Sequence, residues 1–340
     1  MKHAFVYMML GVTLLVSNVL LVRNSQADGT GTISFASYIR SPDLYLVDST
    51  GQNLRELITD DRNKRSPTWS PDRRFFAYQS KDDRSVDIYV MDVESKTSRQ
   101  LTNHPERDLS PVWAPNGKWI AFVSNRAGDL DIYRIDVDGS NLKRLTKRGD
   151  NQNPAWSPDS QWIVYDSYQG GAHRPGGVPG RHFLYVMNAN GARSKQLLED
   201  LNISGCTWSP DGKHIAFAAG NIGGEGVNIH IIDADGNNRR TLTRVGPNAT
   251  VRDPAWSPDG EWIAYLFVVP PVLNHGQAIP INEAFRNNVI SVINTDGEDA
   301  EQPLEATRRL STAPVWVPET FFPVSPQPHL LSTQWGKVKK

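Results

Sequence analysis

Short apolar runs punctuated by Ser, Pro, Asp, Asn and Gly recur along most of this chain. In PAWSPDGEWIAY, residues 254–265, two such runs flank a Ser-Pro-Asp-Gly turn. Proline presets φ for the second position of a type I turn, Asp or Asn follows, and Gly closes it. The same arrangement returns as NPAWSPDSQWIVY, SPVWAPNGKWIAF and CTWSPDGKHIAF. Each copy predicts a strand carrying a tryptophan, a tight turn and a second strand such as WIAFVS or WIVYDS. A third strand of the type DIYVMD, DIYRID or NIHIID follows. A polar turn such as DVDGSN or DADGNN then leads into a fourth, LKRLT or RRTLT.

The anchoring tryptophans are Trp69, Trp113, Trp156, Trp208, Trp256 and Trp316, spaced by 44, 43, 52, 48 and 60 residues. Four short strands cannot bury both of their faces alone. Sheets stacked face to face around an axis cover one another, with the tryptophan filling the space between neighbours. That is the β-propeller solution, at roughly 40–45 residues per blade. Its ends are incomplete in a complementary way. TISFASY, DLYLVDST and LRELIT, around residues 31–58, match the second to fourth strands of a unit. APVWVPE supplies a first strand around 313–317 with no partners after it. The expectation is an all-β, six-bladed propeller of four-stranded antiparallel blades, closed by that strand joining the three N-terminal ones.

The Trp-Ser-Pro-Asp turn, the following Ile-Ala-Phe and the Asp-Ile-Tyr strand resemble the WD40-like repeats of TolB-like six-bladed propellers. The resemblance covers about residues 30–318. It implies the propeller fold and, as in TolB, a protein-docking role at the cell envelope. TolB carries an α/β domain ahead of its propeller, which has no counterpart expected here.

Composition adds exclusions. With 39% hydrophobic and 21% charged residues the chain reads as globular, and a net charge of −1 offers no basic footprint for nucleic acid. Lys2 and His3 precede an apolar stretch from Ala4 to Val22, and Ser25-Gln26-Ala27 has the small-x-small form of a cleavage site. Residues 1–27 are therefore read as a signal peptide, with an uncleaved anchor as the alternative and the only expected membrane contact. Residues 28–320 form the propeller and 321–340 a Pro-rich linker with a basic tail. A periplasmic or secreted monomer follows. Cys206, the single cysteine, excludes an intramolecular disulfide and reads as a small buried strand residue.

Candidate chemistry is sparse, and no cofactor is expected. Propeller hydrolases need a Gly-x-Ser-x-Gly elbow, which this sequence lacks. Asp136–Gly139 and Asp233–Gly236 begin like calcium loops but continue into basic strands, so they read as hairpin turns. His214 and His230 replace Trp and Tyr of sibling repeats as packing residues. His104, His173 and His275 fall in loops of one face, the weak alternative of a metal-assisted lyase or lactonase site.

The binding expectation rests on that same loop face. Arg65, Asp108, Asn151, Asn202 and Arg252 are placed just before the innermost strands, ringing an axial opening. The loop between second and third strands is only NRAGDL in unit three but YQGGAHRPGGVPGRH in unit four, with Arg174 and Arg181. Unit five has GNIGGEG, and unit six has a long insertion holding Glu283 and Arg286. Long insertions on a rigid scaffold commonly carry function. They predict a non-catalytic binding wall for a protein or polysaccharide ligand, with Tyr168 as an exposed loop aromatic for carbohydrate.

Overall fold

A computed structural model describes residues 31–36, 44–58, 64–81, 85–170, 181–200, 202–221, 226–247, 249–268, 288–297, 302–304, 307 and 314–317. The local chemistry of the repeat begins at the turn. Ser157 Oγ donates to Asp159 Oδ1 at 2.5 Å and accepts the Trp162 N–H at 2.9 Å, while Ser160 N closes onto Ser157 O at 2.8 Å. Ser70, Ser209 and Ser257 repeat the device. Each serine thus satisfies backbone groups that a tight hairpin would otherwise leave open.

The strands form four-stranded antiparallel sets. Unit one pairs β24 (Val315–Val317) with β1 (Thr32–Ala36), followed by β2 (Leu44–Asp48) and β3 (Arg55–Ile58). Unit two runs β4 (Lys64–Trp69), β5 (Phe75–Lys81), β6 (Val86–Asp92) and β7 (Thr97–Gln100). Unit three holds β8 (Asp108–Trp113), β9 (Trp119–Ala127), β10 (Asp129–Asp136) and β11 (Lys143–Arg144). Unit four holds β12 (Asp150–Trp156), β13 (Trp162–Gln169), β14 (Arg181–Asn188) and β15 (Lys195–Asp200). Unit five comprises β16 (Ser204–Trp208), β17 (His214–Asn221), β18 (Gly226–Asp233) and β19 (Arg240–Thr241). Unit six comprises β20 (Thr250–Trp256), β21 (Trp262–Val268), β22 (Val289–Asn294) and β23 (Gln302–Pro303). One parallel bridge, Val227 to Thr250, joins units five and six.

Thr32, Ile33 and Ser34 of β1 pair with Val317, Trp316 and Val315, so the two ends of the repeat share one sheet. The first strands β4, β8, β12, β16, β20 and β24 each touch the next, and β24 touches β4. Apolar clusters lie between neighbouring units. One gathers Ile132, Leu145, Trp156, Ile163, Tyr165 and Met187. Tryptophan indoles also bond across the gaps, Trp69 to Ser34 Oγ at 3.0 Å, Trp156 to Val112 O at 3.2 Å and Trp316 to Ala255 O at 2.8 Å.

Two further signals hold each unit. A threonine after the fourth strand, directly behind a leucine at Thr102, Thr146 and Thr243 and three residues behind one at Thr307, accepts a third-strand N–H, from Ile88, Ile132, Ile229 or Ile290. The turn between third and fourth strands seats on that leucine in the preceding unit. A Cβ on Gly191 (φ +77) would stand 2.8 Å from Leu145 O, so only glycine allows this approach. Asp136–Gly139 and Asp233–Gly236 are such hairpin turns, each closed by a glycine N–H onto the aspartate carbonyl at 2.9 Å. Among the described residues no helix is long and apolar enough to cross a membrane.

Candidate functional site

Antiparallel connectivity puts the loops between second and third strands, and those between units, at one end of every sheet. The site residues expected there divide into three groups. Arg65, Asp108, Asn151 and Arg252 lie inside β4, β8, β12 and β20 and not ahead of them, while Asn202 precedes β16. The inner strands start earlier than expected because each absorbs a β-bulge. Ser66, Ser110, Asn153, Gly205 and Asp253 take φ of +49, +49, +48, +59 and +55, and the pairing register shifts beside each. The sequence signal was present: a small residue, mostly Ser, Asn or Asp, stands before most Pro-x-Trp segments, and such residues tolerate left-handed backbone.

Asp108 and Asn151 are buried in the wall. Arg126 Nη2 donates to both Asp108 oxygens at 2.8 Å, and its guanidinium lies over Tyr133 at 5.0 Å and Phe122 at 5.5 Å. Asn151 Nδ2 donates to Arg148 O and Gly149 O at 2.9 Å. Asn202 donates to Gly220 O at 3.2 Å. Arg65 is exposed, and Arg252, 40% exposed at its side chain, stands 3.8 Å from Asp253.

Arg181 opens β14 instead of lying in the loop and bonds Glu199 at 2.6 Å. Tyr168 likewise belongs to β13, half-buried, with its ring 5.0 Å from His182. Arg174, Glu283, Arg286, His173 and His275 lie outside the described residues, as do both chain termini. His104 Nδ1 accepts the Glu106 N–H at 3.1 Å. Among the described residues no group of three or more His, Cys, Asp or Glu side chains is spaced to hold a metal. His230 packs as expected, buried against Phe217 at 5.5 Å, and desolvation and Arg239 lower its pKa to about 4. His214 is 41% exposed and faces Asp233 at 3.6 Å.

A polar cluster that sequence reasoning missed joins units four, five and six beside the bulges. Asn153 Nδ2 donates to Asp166 Oδ1 at 2.7 Å, and Cys206 Sγ donates to Asn153 O at 3.2 Å. A Cβ on Gly205 would lie 3.2 Å from the Asp253 backbone, so the bulges of units five and six are in close contact. Burial pushes the Asp166 carboxyl up to about 7, and burial also raises Asp253 and the Cys206 thiol.

Asp166 gives the protein a pH-dependent stability. From about pH 4 to 7 the folded state holds a proton that the unfolded chain has lost, so stability falls as pH rises through that window. The slope is at most about 1.4 kcal/mol per pH unit. Asp166→Asn removes the proton exchange and keeps an acceptor for Asn153. Urea unfolding of the two proteins should agree near pH 4 and diverge by pH 8, with the variant the more stable. Parallel pH profiles would contradict the assignment.

The family model described as the TolB beta propeller domain matches residues 12–175. The fold is that of a TolB-like β-propeller. TolB from Acinetobacter baumannii superposes with a TM-score of 0.64 at 22% identity, over 86% of this chain and 68% of that one. A protein assigned as TolB from Agrobacterium tumefaciens gives 0.61 at 15% identity, over 85% and 98% of the two chains. An oligogalacturonate lyase in complex with manganese gives 0.53 at 14% identity, over 81% and 74%. No curated protein sequence matches the chain.

Proposed function

We propose that this TolB-like propeller is a closed six-bladed ring that acts as an exported, non-catalytic module binding a protein partner through its loop face. The cyclic contact of the six first strands supports the ring, and the Lys2–Ala27 pattern supports export. The observation that carries the binding reading is electrostatic. Arg65, Arg107, Lys147, Arg148 and Arg244 are exposed at this end, and Arg252 is half-exposed. Of the acids nearby, Glu106 accepts from Asn125 and Asp150 from the Leu130 N–H, while Asp129 sits at a hairpin tip. Such a surface steers and holds an acidic segment, and Arg174 of the unit-four loop would add to it, whereas Arg181 is already paired with Glu199. An acidic polysaccharide would satisfy the same charges. The lyase alternative has only fold likeness behind it, and the one described histidine of its set, His104, already accepts a backbone N–H.

Changing Arg107, Lys147, Arg148 and Arg244 together to Glu should abolish capture of the partner from an envelope fraction and leave the melting temperature in place. Wild-type capture should weaken steadily with salt, as exposed charge attraction does. Replacing residues 171–180 by a short turn should also reduce it, whereas altering the NRAGDL hairpin should not. Capture that survives the charge reversal would reject the loop face as the binding surface.

A further inference from the structure

The opposite face carries the hairpin turns, and there three consecutive clefts between units can be compared residue by residue. In the cleft between units three and four, Arg134 of β10 lays its guanidinium on the Trp119 ring at 4.5 Å. It donates to Ala189 O at 2.9 Å and to Asn190 Oδ1 at 3.1 Å, both on the next unit's turn. In the cleft between units two and three, the matching turn carbonyl, Val137 O, accepts a hydrogen bond from Arg99. Two of the three clefts thus bind one of the chain's own arginines at the same carbonyl.

The cleft between units four and five has the same parts without the arginine. Trp162 stands where Trp119 does, Ala234 and Asp235 where Ala189 and Asn190 do, and Val186 where Arg134 does. Lys195, in the place of Arg99, reaches a different carbonyl, Asp235 O, at 3.0 Å. Among the described residues Ala234 O accepts no side-chain hydrogen bond. Open cavities of about 640 and 570 Å³ mark both the cleft of Arg99 and this one, and here the lining is Trp162, Trp208 and three carboxylates, Asp159, Asp211 and Asp235, against Arg193 and Lys195. The exchange of a neutral Asn190 for Asp235 improves this cleft for a cation, because a charged acceptor strengthens the bond.

We infer that the cleft between units four and five receives the side chain of an arginine from a protein partner, in the pose Arg134 adopts in the neighbouring cleft. The guanidinium stacks on Trp162 and donates to Ala234 O and the Asp235 carboxylate. Indole is the best ring for such stacking, and a planar fork meets carbonyl and carboxylate together as an ammonium cannot. This site goes beyond the loop-face reading and lies at the other end of the strands, so either can fail alone.

The test uses the full propeller and the peptide acetyl-Gly-Arg-Gly-amide, with lysine and citrulline in place of arginine as controls. Binding is read from the Trp162 indole N–H resonance, identified by its loss in Trp162→Phe. The arginine peptide should shift it saturably, the lysine peptide should bind about tenfold more weakly or worse, and citrulline should not bind. Val186→Arg should supply the missing side chain in cis, abolish the shift and keep the protein folded. Asp235→Asn, on an exposed turn, should weaken binding about tenfold and keeps the test decisive if Val186→Arg misfolds. The loop-face charge reversal should change nothing. Absence of a saturable shift, equal affinity for lysine, or an unaltered shift in both cleft variants would overturn the proposal.

Discussion

A chain ending at Thr312 is expected to lose its single cooperative unfolding transition and to aggregate. The strand removed, β24, is the partner of β1 on that side among the described residues, pairing Ile33 with Trp316. Its loss breaks a relay across two units, in which Trp69 Nε1 donates to Ser34 Oγ at 3.0 Å and Ser34 Oγ donates to Val315 O at 3.1 Å. Ser34, Ile33 and Phe35 are fully buried, so the truncation opens apolar surface together with a row of unpaired backbone groups. It also removes the indole that bonds Ala255 O in unit six. The exposed β1 edge then becomes a template for other chains. Calorimetry and light scattering of the truncated protein decide the matter, and a sharp transition at the full-length temperature would reject the closure argument.

Trp156→Ala is expected to cost about 3–5 kcal/mol, the range for emptying a large buried aromatic site. Trp156 is 6% exposed, stacks on Trp119 with centroids 5.9 Å apart, and fills the space between units three and four. Its indole N–H bonds Val112 O, whereas those of Trp113, Trp208 and Trp256 are buried without a partner among the described residues. The substitution therefore removes a hydrogen bond along with the packing, and places it toward the upper end of that range. Leu142→Ala, at a side chain 47% exposed, is the control and should cost a few tenths of a kcal/mol. Denaturant midpoints for the two variants give the comparison, and equal shifts would contradict the role given to the repeat tryptophans.

Much of the fold was legible because its instructions are local and repeated. The Ser-Pro-Asp-Gly turn is closed by its own serine and aspartate, within five residues of chain. The Asp-x-Asp-Gly hairpins are likewise built from neighbours, which is why they read correctly as turns. The complementary end segments foretold the pairing of β24 with β1, since an unfinished sheet at each end leaves an edge that only the other can cover.

The candidate site was legible only as a face. Asp108 reads as a ligand residue until Arg126, eighteen positions later, arrives across the hairpin and takes both oxygens. Arg181 similarly meets Glu199 through strand pairing. Asp166 is a lone acid in the apolar run WIVYDS, and its burial follows from the bulge that turns Asn153 toward it. The difference between Arg134 and Val186 stands in plain view in DIYRID and FLYVMN, but nothing in either segment shows that the position faces the next unit's turn.

By itself, then, the sequence determined strand period and turn chemistry, because these depend on residues a few positions apart. The tertiary structure alone decided which polar groups are bonded within the protein and which stand exposed at its surface. Those outcomes depend on contacts such as Trp316 with Ala255, 61 residues apart, and Ser34 with Val315, 281 apart. No local pattern encodes such distances; they are set by how neighbouring sheets stack.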